Sequence, residues 1–447
     1  MVTGRDFTHA GEGTPAAAWR EHPSWRTLRQ VDLTGVDRVV VVAAHPDDES
    51  LGTGGLLATA ARAGLATALV HATDGEGSHP GSTTVPPDDL ASRRRQEARA
   101  AAQALGVQEP RRLGAPDGHL RDHEDELVLM LVDLLGDARH TVVVAPWRED
   151  GHPDHEAAGR AAAVAARRTG AQLWEFPVWF WHWGAPNHAP WDRISRFDLD
   201  DEARAAKSAA IAAHASQVQP LSDLPGDEVL LGPDLLAHFA GGSEHFLVSD
   251  PDLLPDDTLD RLHAQEEEPW GAESRWFERR KRELVLATLP RARFASALEV
   301  GCSTGVLAET LAERCDRLLA IDRSPAALEV ARRRLASSPG AAVAELDLHR
   351  EWPERRFDLV VVSEVGYFLS PAALDRLVLR LADSLTSDGV VVLCHWRHPI
   401  EGWVMGAEEV HAGFERDELP PLQATYRDRD VEIRVLAGDD SWPDPSL

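Results

Sequence analysis

The residues Ala44-His45-Pro46-Asp47-Asp48-Glu49 place an imidazole and three carboxylates almost side by side. A second group, Gly151-His152-Pro153-Asp154-His155, offers the same donor types further along the chain. His with carboxylate is a donor set that suits zinc; His45 and Asp48 would come from the first group and His155 from the second. Two nitrogens and one carboxylate leave a position open for water, the pattern of a catalytic rather than a structural site. Another divalent metal would use the same donors. Zinc brings bound water toward a pKa of about 7. Asp47 is then available as general base, and His152 to polarise the scissile carbonyl or protonate a departing amine. Asp154 is placed to hold one imidazole in its tautomer. A lone His-Pro-Asp would read as a turn with Asp as helix N-cap. Two such clusters, each after a buried strand, support each other.

The elements that must position these residues are equally legible. Val39 to Val42 and Thr141 to Ala145 are apolar, β-branched runs without polar alternation, as in strands of a parallel sheet buried on both faces. Each cluster follows one such run, at the strand end where open α/β sheets keep their sites. A small-residue helix follows Ser50, with Gly52, Gly54 and Gly55 explained by close helix packing rather than by dinucleotide binding. Leu65 to Ala72 is a further strand, ending in Thr73-Asp74-Gly75-Glu76. Ser78 to Asp89 reads as a surface loop, Ser92 to Leu105 as a helix, and Leu113 to Gly118 as a turn-rich segment near the site mouth. Trp174 to Trp183 holds four tryptophans and a histidine, either core or the wall of a pocket. Trp19 and Trp25 are packing points for this half.

The chain has 447 residues, enough for two or three domains. Its formal charge of -28 leaves no basic face for nucleic acid or an anionic membrane. Three cysteines without CxxC spacing form neither a disulfide framework nor a thiolate metal site, which fits a reducing cytoplasm. Met1 to Asp6 begins no apolar signal segment, and no run approaches a membrane span.

An acidic stretch from 251 to 268 reads as a linker between a first domain, 1–250, and a second, 269–447. The second domain starts the βα alternation afresh. A helix from Ser274 to Leu289 precedes Glu299-Val300-Gly301-Cys302-Ser303-Thr304-Gly305, which reads as strand, glycine loop, helix. Ile321-Asp322 closes the next strand, and Val343 to Asp347, Phe357 to Ser363 and Gly389 to Cys394 supply three more. The expected fold class is α/β: two Rossmann-like, three-layer α/β/α domains with mostly parallel sheets.

The ordered set AHPDDE, TDGE, Arg94-x-x-Glu97 and HPDH, over roughly 35–245, resembles the PIG-L/LmbE-like zinc N-deacetylases. The resemblance implies the ligand and base roles above and an N-acetylglucosamine conjugate as substrate. It adds Arg94 as a substrate contact, with His214 as a pocket candidate; Glu49 is left as structural. The second glycine loop resembles motif I of class I S-adenosylmethionine-dependent methyltransferases. That implies cofactor contacts from Glu299, Gly301, Ser303 and Gly305, with Asp322 at the ribose and Asp347 at the adenine. Ser303 stands where the usual motif has its middle glycine. Trp270-Gly271, Trp276-Phe277-x-x-Arg280-Lys281, Ser363-Glu364-Val365-x-Tyr367-Phe368 and His395-Trp396-Arg397 resemble the nodulation-protein-S-like methyltransferases, over about 265–415. Glu364, Tyr367 and His395 would then face the methyl acceptor.

The expectation is a bifunctional enzyme: zinc N-deacetylation of a small amino-sugar conjugate, then methylation, at the freed amine. The alternatives are an O-methyltransferase acting elsewhere on the molecule, or a second half that only binds S-adenosylmethionine. Oligomeric state stays open.

Overall fold

The computed structural model describes residue 11 and residues 13–442. The expectation for Met1 to Asp6 falls on positions outside the described residues. Chain contacts divide the protein into two compact units, one ending at Leu254 and one beginning at Pro255, with Arg168–Gly170 grouped with the second.

In the first unit the strands are β1 (Arg29–Gln30), β2 (Arg38–Ala43), β3 (Ala66–Thr73), β4 (Arg111–Ala115), β5 (Thr141–Pro146), β6 (Gln172–Phe176), β7 (Ile194–Asp198) and β8 (Ser243–Ser249). They form one sheet in the order β1-β7-β8-β6-β5-β2-β3-β4. Pairing is parallel from β6 through β5, β2 and β3 to β4, and β8 runs antiparallel to both β6 and β7. Val39 to Val42 are fully buried. Burying a valine side chain contributes about 1.5–3 kcal/mol, which outweighs any local preference and fixes β2 at the sheet centre.

The chain leaves β2 towards β3 and β4 on one side, whereas β5 and β6 lie on the other. The strand order therefore reverses between β2 and β5, the place at whose carboxyl ends open α/β sheets keep their sites. Both His/Asp clusters follow these two strands. The helix Asp48–Arg62 starts directly after β2, and Pro153–Thr169 starts seven residues after β5. Close packing does account for the glycines of the first helix: a Cβ at Gly52 would lie 2.0 Å from a Phe176 ring carbon. The tryptophan-rich segment is core. Trp174, Trp179 and Trp181 are buried, and Trp19 and Trp25 pack edge-on against Trp181.

The second unit has β9 (Ala297–Val300), β10 (Leu318–Asp322), β11 (Ala341–Glu345), β12 (Phe357–Ser363), β13 (Leu385–Trp396), β14 (Leu422–Arg427) and β15 (Val431–Ala437). Their order is β11-β10-β9-β12-β13-β15-β14, parallel except for β15, which runs antiparallel to both β13 and β14. Alternate residues of β9 and β12 feed two separate cores: Ala297 and Val361 one, Leu298 and Val360 the other. The sheet is thus buried on both faces, as the βα alternation implies. Its switch point lies between β9 and β12, at the glycine loop.

The acidic stretch read as a linker carries a helix, Thr258–Gln265, that belongs to the second unit. It packs on the helix Pro325–Arg334, and the Ser324 hydroxyl donates to Asp260. The sequence from Leu259 to Glu268 also allowed a helix, and Thr258–Gln265 forms one. No helix among the described residues is long and apolar enough to cross a membrane.

Candidate functional sites

At the end of β2 the chain turns sharply, and Asp47 takes φ 138°, a left-handed conformation that non-glycine residues rarely hold. Three contacts fix it. The Asp47 N–H donates to Glu49 Oε2 (3.2 Å), and Arg94 Nη2 donates to both Asp47 Oδ2 (2.9 Å) and the Pro46 carbonyl (2.6 Å). Arg94 also donates to the Gly75 carbonyl and is only 2% exposed. Arg94, expected as a substrate contact, braces the loop that carries Asp47. Glu49 is fully buried against His71 (3.2 Å) and His214 (3.4 Å). His214 is 1% exposed beneath the loop, with its Nε2 on the Ser50 hydroxyl (3.0 Å).

The structure brings His45, Asp48 and His155 together. His155 Nε2 lies 3.2 Å from Asp48 Oδ1, and His45 Nδ1 lies 3.6 Å from Asp48 Oδ2. His45 Nε2 is engaged on its other side by Asp117 (3.0 Å) and Asp154 (3.3 Å). Asp154 is itself fixed by the N–H groups of Gly118 and Leu120. His155 Nδ1 contacts Asp150 Oδ2 (2.8 Å), and Asp150 accepts three backbone N–H bonds from Val178, Trp179 and Phe180. The His152 ring stands 4.9 and 4.7 Å from those of His45 and His155. Its Nδ1 accepts the Asp154 N–H, which directs a neutral ring's proton to Nε2.

Asp117 and Asp150 escaped the sequence reading. Asp117 sits in the turn already noted near the mouth. Asp150 lies two residues before His152, in a loop with no periodicity to mark it.

The electrostatics follow from burying so many charges together. Burial works to lower His45, yet Asp117, Asp154 and Asp48 raise it well above its usual range. Burial likewise opposes, and Asp48 and Asp150 produce, a His155 pKa of about 9. Asp48 is held well below the carboxylate range by His155 and His45, against burial. His152 is pushed well down by burial and by the other two imidazoles, so it stays neutral. Asp47 is raised to about 6 by burial, with Arg94 pulling the other way.

These residues fit a divalent cation. His155 Nε2 is buried and makes no hydrogen bond among the described residues, although a carboxylate stands beside it. Ligand atoms of His45, His152 and His155, and of His45, Asp117 and Asp154, lie within 4.8 Å of one another.

In the second unit a crevice at the ends of β9 and β10 is lined by Gly301, Ser303, Asp322, Asp347 and Glu364. Ser303 has φ 49°, so it takes up the left-handed turn that a glycine would make there. Its N–H donates to Asp322 Oδ2 (2.8 Å), and Ser324 N–H donates to Oδ1 (3.0 Å), which leaves that carboxylate fixed at the crevice edge. Gly305 starts the helix Val306–Ala312, and Glu299 is buried behind the loop. His263, from the segment read as a linker, and Trp270 also line the crevice.

Of the three residues expected at the methyl acceptor, Glu364 lines this crevice. Tyr367 is buried behind it and donates its hydroxyl to Glu364 Oε2. Lys281 Nζ (3.0 Å) and the Trp396 N–H (3.2 Å) complete the grip on the Glu364 carboxylate. His395 is fully buried, with both ring nitrogens engaged within the protein.

Comparison with known proteins divides the chain in the same way. Residues 40–166 match the family model of the PIG-L GlcNAc-PI de-N-acetylases, and residues 255–420 match that of nodulation protein S. A mycobacterial (strain KMS) 1D-myo-inositol 2-acetamido-2-deoxy-alpha-D-glucopyranoside deacetylase is 32% identical over 265 residues, 48% of this chain and 84% of that protein. Nodulation protein S of Sinorhizobium fredii is 33% identical over 177 residues, 37% of this chain and 80% of its own. Its Rhizobium tropici counterpart is matched over 63% of its length. Among solved structures, the N-methyltransferase NodS of Bradyrhizobium japonicum in complex with S-adenosyl-L-homocysteine is 26% identical with a TM-score of 0.38, covering 41% of this chain and 97% of that one. The chain therefore belongs to the PIG-L de-N-acetylase family through its first unit and to the nodulation protein S methyltransferase family through its second.

Proposed function

We propose that this protein removes the N-acetyl group from an amino-sugar conjugate and then transfers a methyl group from S-adenosylmethionine to the freed amine. The observation that carries the reading is the meeting of His45, Asp48 and His155 at the carboxyl ends of β2 and β5, where the buried His155 Nε2 makes no hydrogen bond among the described residues.

His45, Asp48 and His155 would hold the metal, zinc by its preference for this donor set. Bound there, it supplies Lewis acidity toward water and the amide carbonyl. The remaining steps belong to the chain's own residues. Asp47, held by Arg94, takes the proton of the attacking water and returns it to the departing nitrogen. Neutral His152 donates its Nε2–H to the carbonyl oxygen as charge builds on it. Asp117 and Asp154 fix the His45 ring, and Asp150 fixes that of His155.

An amide nitrogen is a poor nucleophile because its lone pair is delocalised into the carbonyl. Deacetylation yields an amine that can attack a sulfonium methyl once it has lost a proton. In the second unit the glycine loop and Asp322 would hold S-adenosylmethionine, which supplies the electrophilic methyl. Glu364 is the carboxylate placed to bind the acceptor ammonium and receive its proton.

The test is incubation of the full chain with zinc, S-adenosylmethionine and a panel of N-acetylglucosaminyl glycosides, followed by mass spectrometry. Loss of acetyl and gain of methyl at nitrogen on one molecule is expected. Acetate release with methyl on oxygen, or with no methyl gain, would overturn N-methylation and leave the hydrolase; no acetate release would overturn the first step.

A further inference from the structure

Behind the Glu364 carboxylate lies a row of buried polar groups for which the two activities give no role. Gly366 N–H points at His395 Nε2 (3.2 Å), His395 Nδ1 at His411 Nε2 (2.9 Å), and His411 Nδ1 at Glu432 Oε1 (3.3 Å). Glu432 is anchored in turn by Arg434 Nε (2.8 Å) and Arg427 Nε (3.3 Å). The three side chains come from β13, the helix Ala407–Gly413 and β15, and His395 and Glu432 are direct partners across the antiparallel β13/β15 pair.

We propose that His395, His411 and Glu432 form a positioning chain that sets the backbone of the 364–367 loop and so aims Glu364 at the methyl acceptor. The inference rests on the methyl-transfer reading above and adds to it residues that make no contact with the cofactor crevice.

The direction of every bond in the row is determined. A backbone N–H can only donate, so His395 Nε2 accepts and its proton sits on Nδ1. That proton goes to His411 Nε2, and the proton on His411 Nδ1 goes to Glu432. The row is complete only when both rings are neutral, and burial lowers both imidazoles, His411 to about 4. With its Nε2 capped by Gly366, His395 cannot take a proton from a substrate. It therefore acts through the loop rather than on the reacting atoms.

The loop needs such a device. Glu364 has φ 57°, a strained conformation that persists only where its surroundings over-determine it. Its own N–H is tied to the Cys394 carbonyl (2.8 Å), one residue before His395, and Gly366 is tied to His395 itself. Gly366 also admits no side chain: a Cβ there would lie 2.4 Å from Val410 and 3.1 Å from His395 Nε2. Two buried imidazoles and a carboxylate are an expensive way to fill a core, whereas Leu and Phe would stabilise it more simply. What the polar row adds is direction.

The test uses the full chain with a free-amine glucosaminyl acceptor and three readouts. His411→Phe should lower kcat for methyl transfer about tenfold or more, with S-adenosylhomocysteine affinity within about twofold of the parent. His411→Gln, which restores an acceptor and a donor, should recover most of the rate. In the histidine-15N-labelled chain both rings should read as neutral Nδ1–H tautomers. An unchanged kcat in His411→Phe, equal loss of kcat and cofactor affinity, no recovery in His411→Gln, or an Nε2–H tautomer at His395 would each overturn the proposal. Absence of amine methylation by the parent chain would overturn the function reading instead, and the tautomers would still decide whether the row exists.

Discussion

In the proposed metal site, Asp150 sets how well His155 would hold the ion. Its carboxylate takes the His155 Nδ1 on one oxygen and is saturated by three backbone N–H groups, so it cannot swing away. Asp150→Asn keeps the volume but turns a donor toward those N–H groups or toward the ring. Metal affinity should fall about 10–100-fold, read by competition with a chelator, with the fold intact by circular dichroism. Glu299 offers a second residue-scale prediction. Burial, with Asp322 nearby, pushes its carboxyl up to about 8, and its Oε2 makes no hydrogen bond among the described residues. The folded chain then holds this proton more tightly than the unfolded chain, whose glutamates titrate near 4.3. As pH rises from about 4.3 to 8 the unfolded state loses the proton first, so stability falls through that window. Glu299→Gln should remove this slope, and its second unit should outlast the parent's in urea at about pH 9 by a few kcal/mol, with little difference at about pH 5.

At the scale of elements, the helix Asp48–Arg62 must lie close to β6 for its first residue to reach the cluster. Gly52→Ala would set a methyl 2.0 Å from the buried Phe176 ring. Relief requires the helix or the ring to move, which costs about 1–3 kcal/mol. The urea midpoint should drop accordingly, and metal affinity with it, because Asp48 rides on the same helix. Buried strands were the most legible part of the sequence. Runs such as Val39 to Val42 have one stable location, and the clusters after them inherit it. What escaped was structure set by tertiary partners. Strand β14 is largely exposed and β15 sets Glu432 and Arg434 within a buried run, so their place beside β13 is written in β13 as much as in themselves. Glu432 was invisible for the same reason: only the β13/β15 register sets it opposite His395, and His411 reaches them from the separate helix Ala407–Gly413. Arg94 was legible as a helix arginine, but a helix arginine facing a carboxylate and one facing substrate have the same spacing, so its partner was not.

At the scale of the whole molecule, the proposed pair of chemistries imposes an order that either site alone would not. Methyl transfer to the proposed amine needs a nucleophilic nitrogen, and the acetylated nitrogen is not one until the amide is cut. His45→Ala removes a ring that meets Asp48, Asp117 and Asp154, and should abolish metal binding and acetate release. On an N-acetylated glycoside this variant should therefore transfer no methyl at all. On the same glycoside supplied as the free amine it should methylate at the parent rate. The reverse case is Glu364→Gln, which keeps the side-chain volume but loses the charge that Lys281 and Tyr367 hold at the crevice. It should release acetate at the parent rate and leave the amine to accumulate, with methyl transfer down about 100-fold. Time courses of acetate, free amine and methylamine for the parent and both variants decide the matter. Methylation of the intact amide by His45→Ala would mean that the acceptor is not the acetylated nitrogen, and the two halves would then work on separate positions.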